Sequence, residues 1–169
     1  IMVNKTTNVV TIYAKDGNKG YTIPVKAFVC SGGDSTPLGT FYIPAKWRWL
    51  SLVGNCYGQW NTLITYEESI LFHSVYYDEV DADTLSVDAY NKLGTTCSHG
   101  CIRLKAGDAK WIYDNCSLGT KITIFESNAD GPFPKPSFVK LNSSHTWDPT
   151  DPNMAYKCKE RGCHKGIAW

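Results

Sequence analysis

At 169 residues the chain is long enough for one good core with a small appendage and short for two full domains, so one domain is expected. Seventeen Lys and Arg against 16 Asp and Glu leave a formal charge of +1, which gives no electrostatic footprint for nucleic acid or for an acidic membrane surface. Hydrophobic residues at 43%, with 6 Trp, 10 Tyr, 6 Phe, 14 Gly and 8 Pro, describe a globular, turn-rich, β-leaning chain, and no apolar run approaches the length of a membrane span.

The chain opens on Ile1 directly at strand-like sequence, so an export signal or wall anchor of the parent protein is expected to lie outside it. Asn8 to Ile12 and Tyr21 to Val29 are rich in β-branched and aromatic residues, and Lys15-Asp16-Gly17-Asn18 between them supplies turn chemistry, which predicts a β-hairpin. A loop from Cys30 to Thr40 leads into the strand-like Phe41-Tyr42-Ile43-Pro44. Trp47, Trp49 and Trp60 surround a Gly-containing segment, and Asn61 to Thr65 and Ser69 to Val75 read as further strands. Short strands at close spacing predict a mainly β fold, a sandwich or barrel. One clear helix is predicted where Ala109, Ile112, Tyr113 and Cys116 recur at i, i+3, i+4 and i+7, with Asp108 near its start and Gly119 available to end it. Thr120 to Phe125 alternates as a last strand, and beyond Glu126 a Pro-, Ser- and Asn-rich, loop-rich tail (127–169) is expected to lie over the domain (1–126).

The chemistry centres on Ser98-His99-Gly100-Cys101-Ile102-Arg103. A nucleophilic cysteine needs a base or a positive environment and hydrogen-bond donors aimed at the oxyanion formed on attack. Gly100 permits a tight bend beside Cys101, bringing the amides of His99 to Cys101 toward a substrate oxygen. On an extended segment Arg103 shares a face with Cys101. His73, at the end of the apolar run Ile70-Leu71-Phe72, is a candidate general base on a rigid strand. Papain-like peptidases place cysteine before histidine, which is the reverse of the order here.

These features resemble the catalytic domain of the L,D-transpeptidases, the YkuD-type fold. The resemblance rests on His73-Ser74, on Ser98-His99-Gly100-Cys101-Ile102-Arg103 and on Thr36-Pro37-Leu38-Gly39-Thr40-Phe41, three ordered signals over roughly residues 1–126. It implies Cys101 as nucleophile and His73 as general base, oriented through the carbonyl of Ser74. His99 and Arg103 would shape the pocket and hold the donor stem, and Ser98 and Gly100 would order the turn beside the oxyanion site. The implied substrates are peptidoglycan stem peptides, donor and acceptor. Attack at the third-residue carbonyl of a tetrapeptide releases D-alanine, and the thioester passes its acyl group to an amine of a second stem as a 3→3 cross-link. Water as acceptor gives the L,D-carboxypeptidase variant, and a non-catalytic wall-binding module is the alternative of another kind. The resemblance also implies carbapenem β-lactams as inhibitors, no metal or organic cofactor, and an extracellular, cell-wall or periplasmic location; a monomer is expected.

Two features depart from the family pattern. The 27 residues between His73 and Cys101 include the acidic run Asp78-Glu79-Val80-Asp81-Ala82-Asp83, read as a solvated loop with a lid as the alternative. Seven cysteines suit an oxidising compartment, and if Cys101 works as a thiol, Cys97 is expected to pair with Cys116 or another residue. In the tail, Cys158, Cys163 and His164 have a Cys-x4-Cys-His spacing without a second matching half, so a small disulfide-closed loop is expected rather than zinc. Trp147 and Trp169 are read as packing anchors.

Overall fold

The β-branched runs flanking the first turn pair as their composition predicts. In the computed structural model, which describes residues 1–163, β1 (Met2–Asn4), β2 (Val9–Lys15) and β3 (Tyr21–Val29) form an antiparallel ribbon. With β4 (Gly39–Tyr42) and β9 (Lys121–Phe125) they build a five-stranded sheet in the order β3-β2-β1-β9-β4, in which only β1 and β9 run parallel. A second sheet has the order β5-β6-β7-β8, from β5 (Lys46–Leu52), β6 (Cys56–Thr65), β7 (Ile70–Ser74) and β8 (Ile102–Leu104). The first three are an antiparallel meander, and β8 joins parallel to β7 after a long crossover that contains α1 (Val87–Tyr90).

One core lies between these layers. Val10, Phe28, Ile122 and Ile124 of the first sheet meet Phe72, Ile102 and Leu104 of the second, together with Ala109 and Ile112 of α2 (Ala106–Asn115). Fully burying side chains of this size contributes about 1.5–3 kcal/mol each, which is why the two alternating strand patterns fix which face of each sheet turns inward. The architecture is mainly β, with one full helix directly after the cysteine motif, as expected from the sequence. Among the described residues no helix is long and apolar enough to cross a membrane.

Three details differ from the sequence reading. The segment Lys46–Leu52, to which the sequence reading assigns no element, is a strand, because Trp47 and Trp49 alternate with Lys46 and Arg48 and pair with Asn61 and Gln59. The helix ends earlier than Gly119: Cys116 is its C-cap, and Gly119 instead gives its N–H to Ile43. The tail carries a short helix, α3 (Ala155–Arg161), and a satellite cluster of Trp147, Met154 and Cys158. His164 and Trp169 lie outside the described residues.

The tail also starts the principal helix. The N-cap residue of α2 is Lys105, whose side chain makes no capping bond, so the first amides of the helix need acceptors from elsewhere. The fully buried Asp148 accepts the Ala106 N–H at 2.7 Å, and Thr150 Oγ1 accepts the Gly107 N–H at 2.9 Å. Asp148 is itself held by the amide and hydroxyl of Thr150 at 2.8 and 2.6 Å. Behind it, the Gln59 side-chain amide donates to Tyr77 and to Asp151, both at 2.7 Å, tying the tail to β6.

Asp148→Ala is therefore expected to destabilise the fold by about 1–3 kcal/mol, the range for losing a cap and stranding buried amides. Urea unfolding monitored by far-UV circular dichroism checks this, and an unchanged midpoint would show that the helix does not depend on the tail.

Candidate active site

Parallel pairing of β7 with β8 carries the site. Phe72 lies opposite Ile102, His73 opposite Arg103 and Ser74 opposite Leu104. Successive side chains on a strand point to opposite faces. Phe72, Ile102 and Leu104 consequently enter the core, whereas Leu71, His73, Cys101 and Arg103 line a cavity of about 600 Å³ on the other face. Walls of that cavity come from the β5–β6 hairpin around Leu52 and Cys56, from Glu68 and Ser69, and from Tyr76 and Asp78. His99 is exposed at its rim.

The turn that presents Cys101 is held from behind. Gly100 has φ +134°, and a Cβ there would stand 2.7 Å from Ile70 Cδ1. The buried Thr36 hydroxyl donates to the Gly100 carbonyl at 2.7 Å and accepts the Gly33 N–H at 2.9 Å. Gly32 in turn accepts the amides of Cys97 and Ser98, each at 3.0 Å. Ser98 Oγ accepts the Gly100 N–H at 3.0 Å, so that amide is committed within the turn rather than aimed into the cavity. Gly33 is pressed so closely on this turn that a Cβ would lie 2.2 Å from the Ser98 carbonyl oxygen.

The protonation states follow from burial. A carbonyl oxygen can only accept, so the 2.6 Å contact of His73 Nδ1 with the Ser74 carbonyl places the ring proton on Nδ1 and leaves Nε2 with its lone pair. Burial pushes the His73 pKa down to about 4, opposed by the Ser74 carbonyl and reinforced by the Arg103 charge. Burial also raises the Cys101 thiol, with a backbone bond at Leu71 and the Arg103 charge acting in the opposite direction. The resting pair is thus a thiol and a neutral imidazole rather than an ion pair.

Among the residues singled out from sequence, Cys101, His73, His99 and Arg103 line the cavity, whereas Ser74, Ser98 and Gly100 support it from outside. Ser74 accepts the Gln59 backbone N–H on its hydroxyl at 3.0 Å and offers its carbonyl to His73. Arg103 donates to the Cys97 carbonyl at 3.4 Å and lies over the Tyr76 ring, 5.1 Å from its centroid. The acidic run forms a closed turn: Asp78 N–H bonds the Thr84 carbonyl, Asp83 pairs with Lys157, and Asp78 itself reaches the cavity. The expected disulfides are absent. No disulfide joins any of the seven cysteines. Cys97 sits on the loop beneath Gly32 while Cys116 closes α2 beside Lys46 and the chain's amino terminus, which separates that pair, whereas Cys158 and Cys163 lie near one another without a bond.

Sequence reasoning missed two supports. Thr36 belonged to a recognised segment, but its bond to Gly100 is a contact over 64 residues. Gly58 leaves the space that the His73 ring fills: a Cβ there would meet Asn61 Oδ1 at 3.0 Å, His73 Nδ1 at 3.1 Å and Leu52 Cδ1 at 3.1 Å. A glycine within a strand was the only signal for that approach.

Comparison with known proteins places the chain in a family. The profile of the YkuD family, described as the L,D-transpeptidase catalytic domain, matches residues 1–124. The chain belongs to that family. It is 39% identical over 117 residues to YciB of Bacillus subtilis (strain 168), which carries an L,D-transpeptidase name by assignment; the match spans 66% of this chain and 59% of that protein. An L,D-transpeptidase from Mycobacterium smegmatis superposes with a TM-score of 0.58 at 20% identity, over 73% of this chain and 57% of the other. LdtMt1, an L,D-transpeptidase solved in complex with imipenem, gives 0.57 at 18% identity over the same shares. At those identities the two structures establish a common fold. The chain spans less than two thirds of each of these proteins.

Two outcomes are expected from the site. The His73 ring signal in a proton NMR titration should have its midpoint near pH 4 instead of near 6.5. Because the folded pKa lies below the unfolded one, its contribution is complete above about pH 6.5 and is lost as pH falls through about 4, amounting to about 3 kcal/mol. Gly58→Ala should displace the imidazole, read as a changed His73 ring signal in the same proton NMR spectrum, with little change in far-UV circular dichroism.

Proposed function

We propose that the site is that of a cysteine-dependent L,D-transpeptidase acting on peptidoglycan stem peptides. The observation that carries this reading is the placement of Cys101 and the free Nε2 side of His73 on one face of one strand pair, lining one cavity. Family membership supplies the substrate class.

In this reading the donor is a stem tetrapeptide. Cys101 Sγ attacks the third-residue carbonyl as its proton passes to His73 Nε2, which can take it because Nδ1 keeps its own proton against Ser74. The tetrahedral oxyanion is met by backbone N–H groups of the turn other than that of Gly100. Collapse breaks the peptide bond, and His73 returns the proton to the departing amine of D-alanine. The thioester then reacts with an amine of a second stem, whose proton goes to His73, leaving a 3→3 cross-link and a regenerated thiol. Arg103, already beside the thiol, attracts a donor carboxylate, and His99 at the rim meets the stem. Such stems lie outside the cytoplasmic membrane, so an extracellular, wall or periplasmic site of action belongs to the same proposal. The imipenem complex of a relative with this fold supports carbapenems as acylating inhibitors.

The test uses reduced protein, a carbapenem and a synthetic tetrapeptide stem. Intact-mass measurement is expected to show one acyl adduct on the wild type and none on Cys101→Ala, with His73→Ala slowed about 10²–10⁴-fold. Release of D-alanine with formation of a cross-linked dimer is expected; free tripeptide alone would assign water as the acceptor. Wild type that takes no adduct and releases no D-alanine would overturn the enzyme reading.

A further inference from the structure

The tail contains a group of side chains that the reaction does not use. Cys158 lies in α3 and is 1% exposed. Gly162, with φ +67°, ends that helix and turns the chain back, so that the Cys163 N–H bonds the Cys158 carbonyl at 3.2 Å and the two thiols face one another. The third member comes from the preceding loop: the ligand atoms of His145, Cys158 and Cys163 all lie within 4.8 Å of one another, with His145 buried. The Cys-x4-Cys spacing had no matching partner in sequence, and the fold provides one.

From this geometry we infer that His145, Cys158 and Cys163 form a binding site for a zinc-type divalent cation. Two thiolates and a neutral imidazole supply three of the four donors of a borderline-soft tetrahedral site, with water taking the fourth position, and the two thiolates balance the charge of the ion. Metal–ligand bonds of about 2.0–2.3 Å would draw the three atoms inward by roughly 1 Å. Binding releases one proton from each thiol to solvent and leaves the redox state of both sulfurs unchanged.

A second, independent observation is the support around the sulfur. Trp147 Nε1 donates to Cys158 Sγ at 3.0 Å, the kind of outer hydrogen bond that orients and stabilises a ligating thiolate. The Trp147 ring also stacks on His145, with centroids 3.9 Å apart. Lys157 and Arg161 lie over that indole at 5.1 and 5.3 Å, placing positive charge near the sulfurs that metal binding would deprotonate.

The role is structural. The segment between His145 and Cys158 holds Asp148 and Thr150, which cap α2, and Asp151, which bonds Gln59. An ion joining its two ends closes that segment into a loop and so stabilises the start of the helix behind Cys101.

The experiment strips the full chain with chelator under reductant and adds back Zn²⁺ or Co²⁺. One ion per chain is expected, with a thiolate-to-cobalt charge-transfer band and a melting temperature higher by several degrees in the loaded form. His145→Ala and Cys163→Ser should each weaken Zn²⁺ binding by about 100-fold or more, and Trp147→Phe by about 10-fold. Cys101→Ala should bind as wild type does. Far-UV circular dichroism verifies that each tail variant is folded; Zn²⁺ binding is read without reference to acylation, so failure of either proposal is seen separately. Reduced wild type that binds less than about a tenth of an ion per chain, affinity that does not follow His145 and Cys163, or a Cys158–Cys163 disulfide whose reduction yields no Zn²⁺ binding would each overturn the inference.

Discussion

Everything at the site depends on the register of one parallel strand pair. With His73 opposite Arg103, the two-residue period of the strands sends Phe72, Ile102 and Leu104 into the core and turns Leu71, His73, Cys101 and Arg103 to the cleft. A shift of one residue would exchange those sets, burying a guanidinium and a thiol among aliphatic side chains while exposing three core residues. The core therefore sets the cleft: the apolar residues that stabilise the fold are interleaved with the residues that line it.

The electrostatics follow from the same placement. His73 sits where water is excluded and a guanidinium is near, and both effects disfavour a charged ring. The thiol is likewise held above its ordinary value by burial. In the proposed reaction a neutral thiol and imidazole of this kind stay chemically quiet until a substrate carbonyl arrives, because proton transfer becomes favourable only as the new bond to sulfur forms. Reactivity toward indiscriminate electrophiles is correspondingly reduced.

Much of this could be read in the chain because it is local. The hairpin around Asp16, the periodic face of α2 and the run from Ser98 to Arg103 each declare themselves within about ten residues, and the order of His73 before Cys101 distinguished this site from a papain-like one. What could not be read is held by contacts between distant segments. Thr36 reaches Gly100, Gly58 makes room for His73, and Asp148 caps a helix that begins at Ala106, yet none of these pairs leaves a periodic trace in the sequence. The cysteines show the same limit from the other side. Their number suggested pairing, but their positions in the fold separate Cys97 from Cys116 and bring Cys163 to Cys158 and His145.

The capping of α2 from the tail bears on how such a part can be passed between proteins. The span shared with the family stops at residue 124, whereas the acceptors for the first amides of its longest helix lie at Asp148 and Thr150. The unit of recognisable ancestry is thus smaller than the unit of mechanical integrity. A lineage that grafted only the shared span onto another chain would inherit every side chain that lines the cleft along with an open helix start, and would need a new acceptor at Ala106 before the graft could hold its shape.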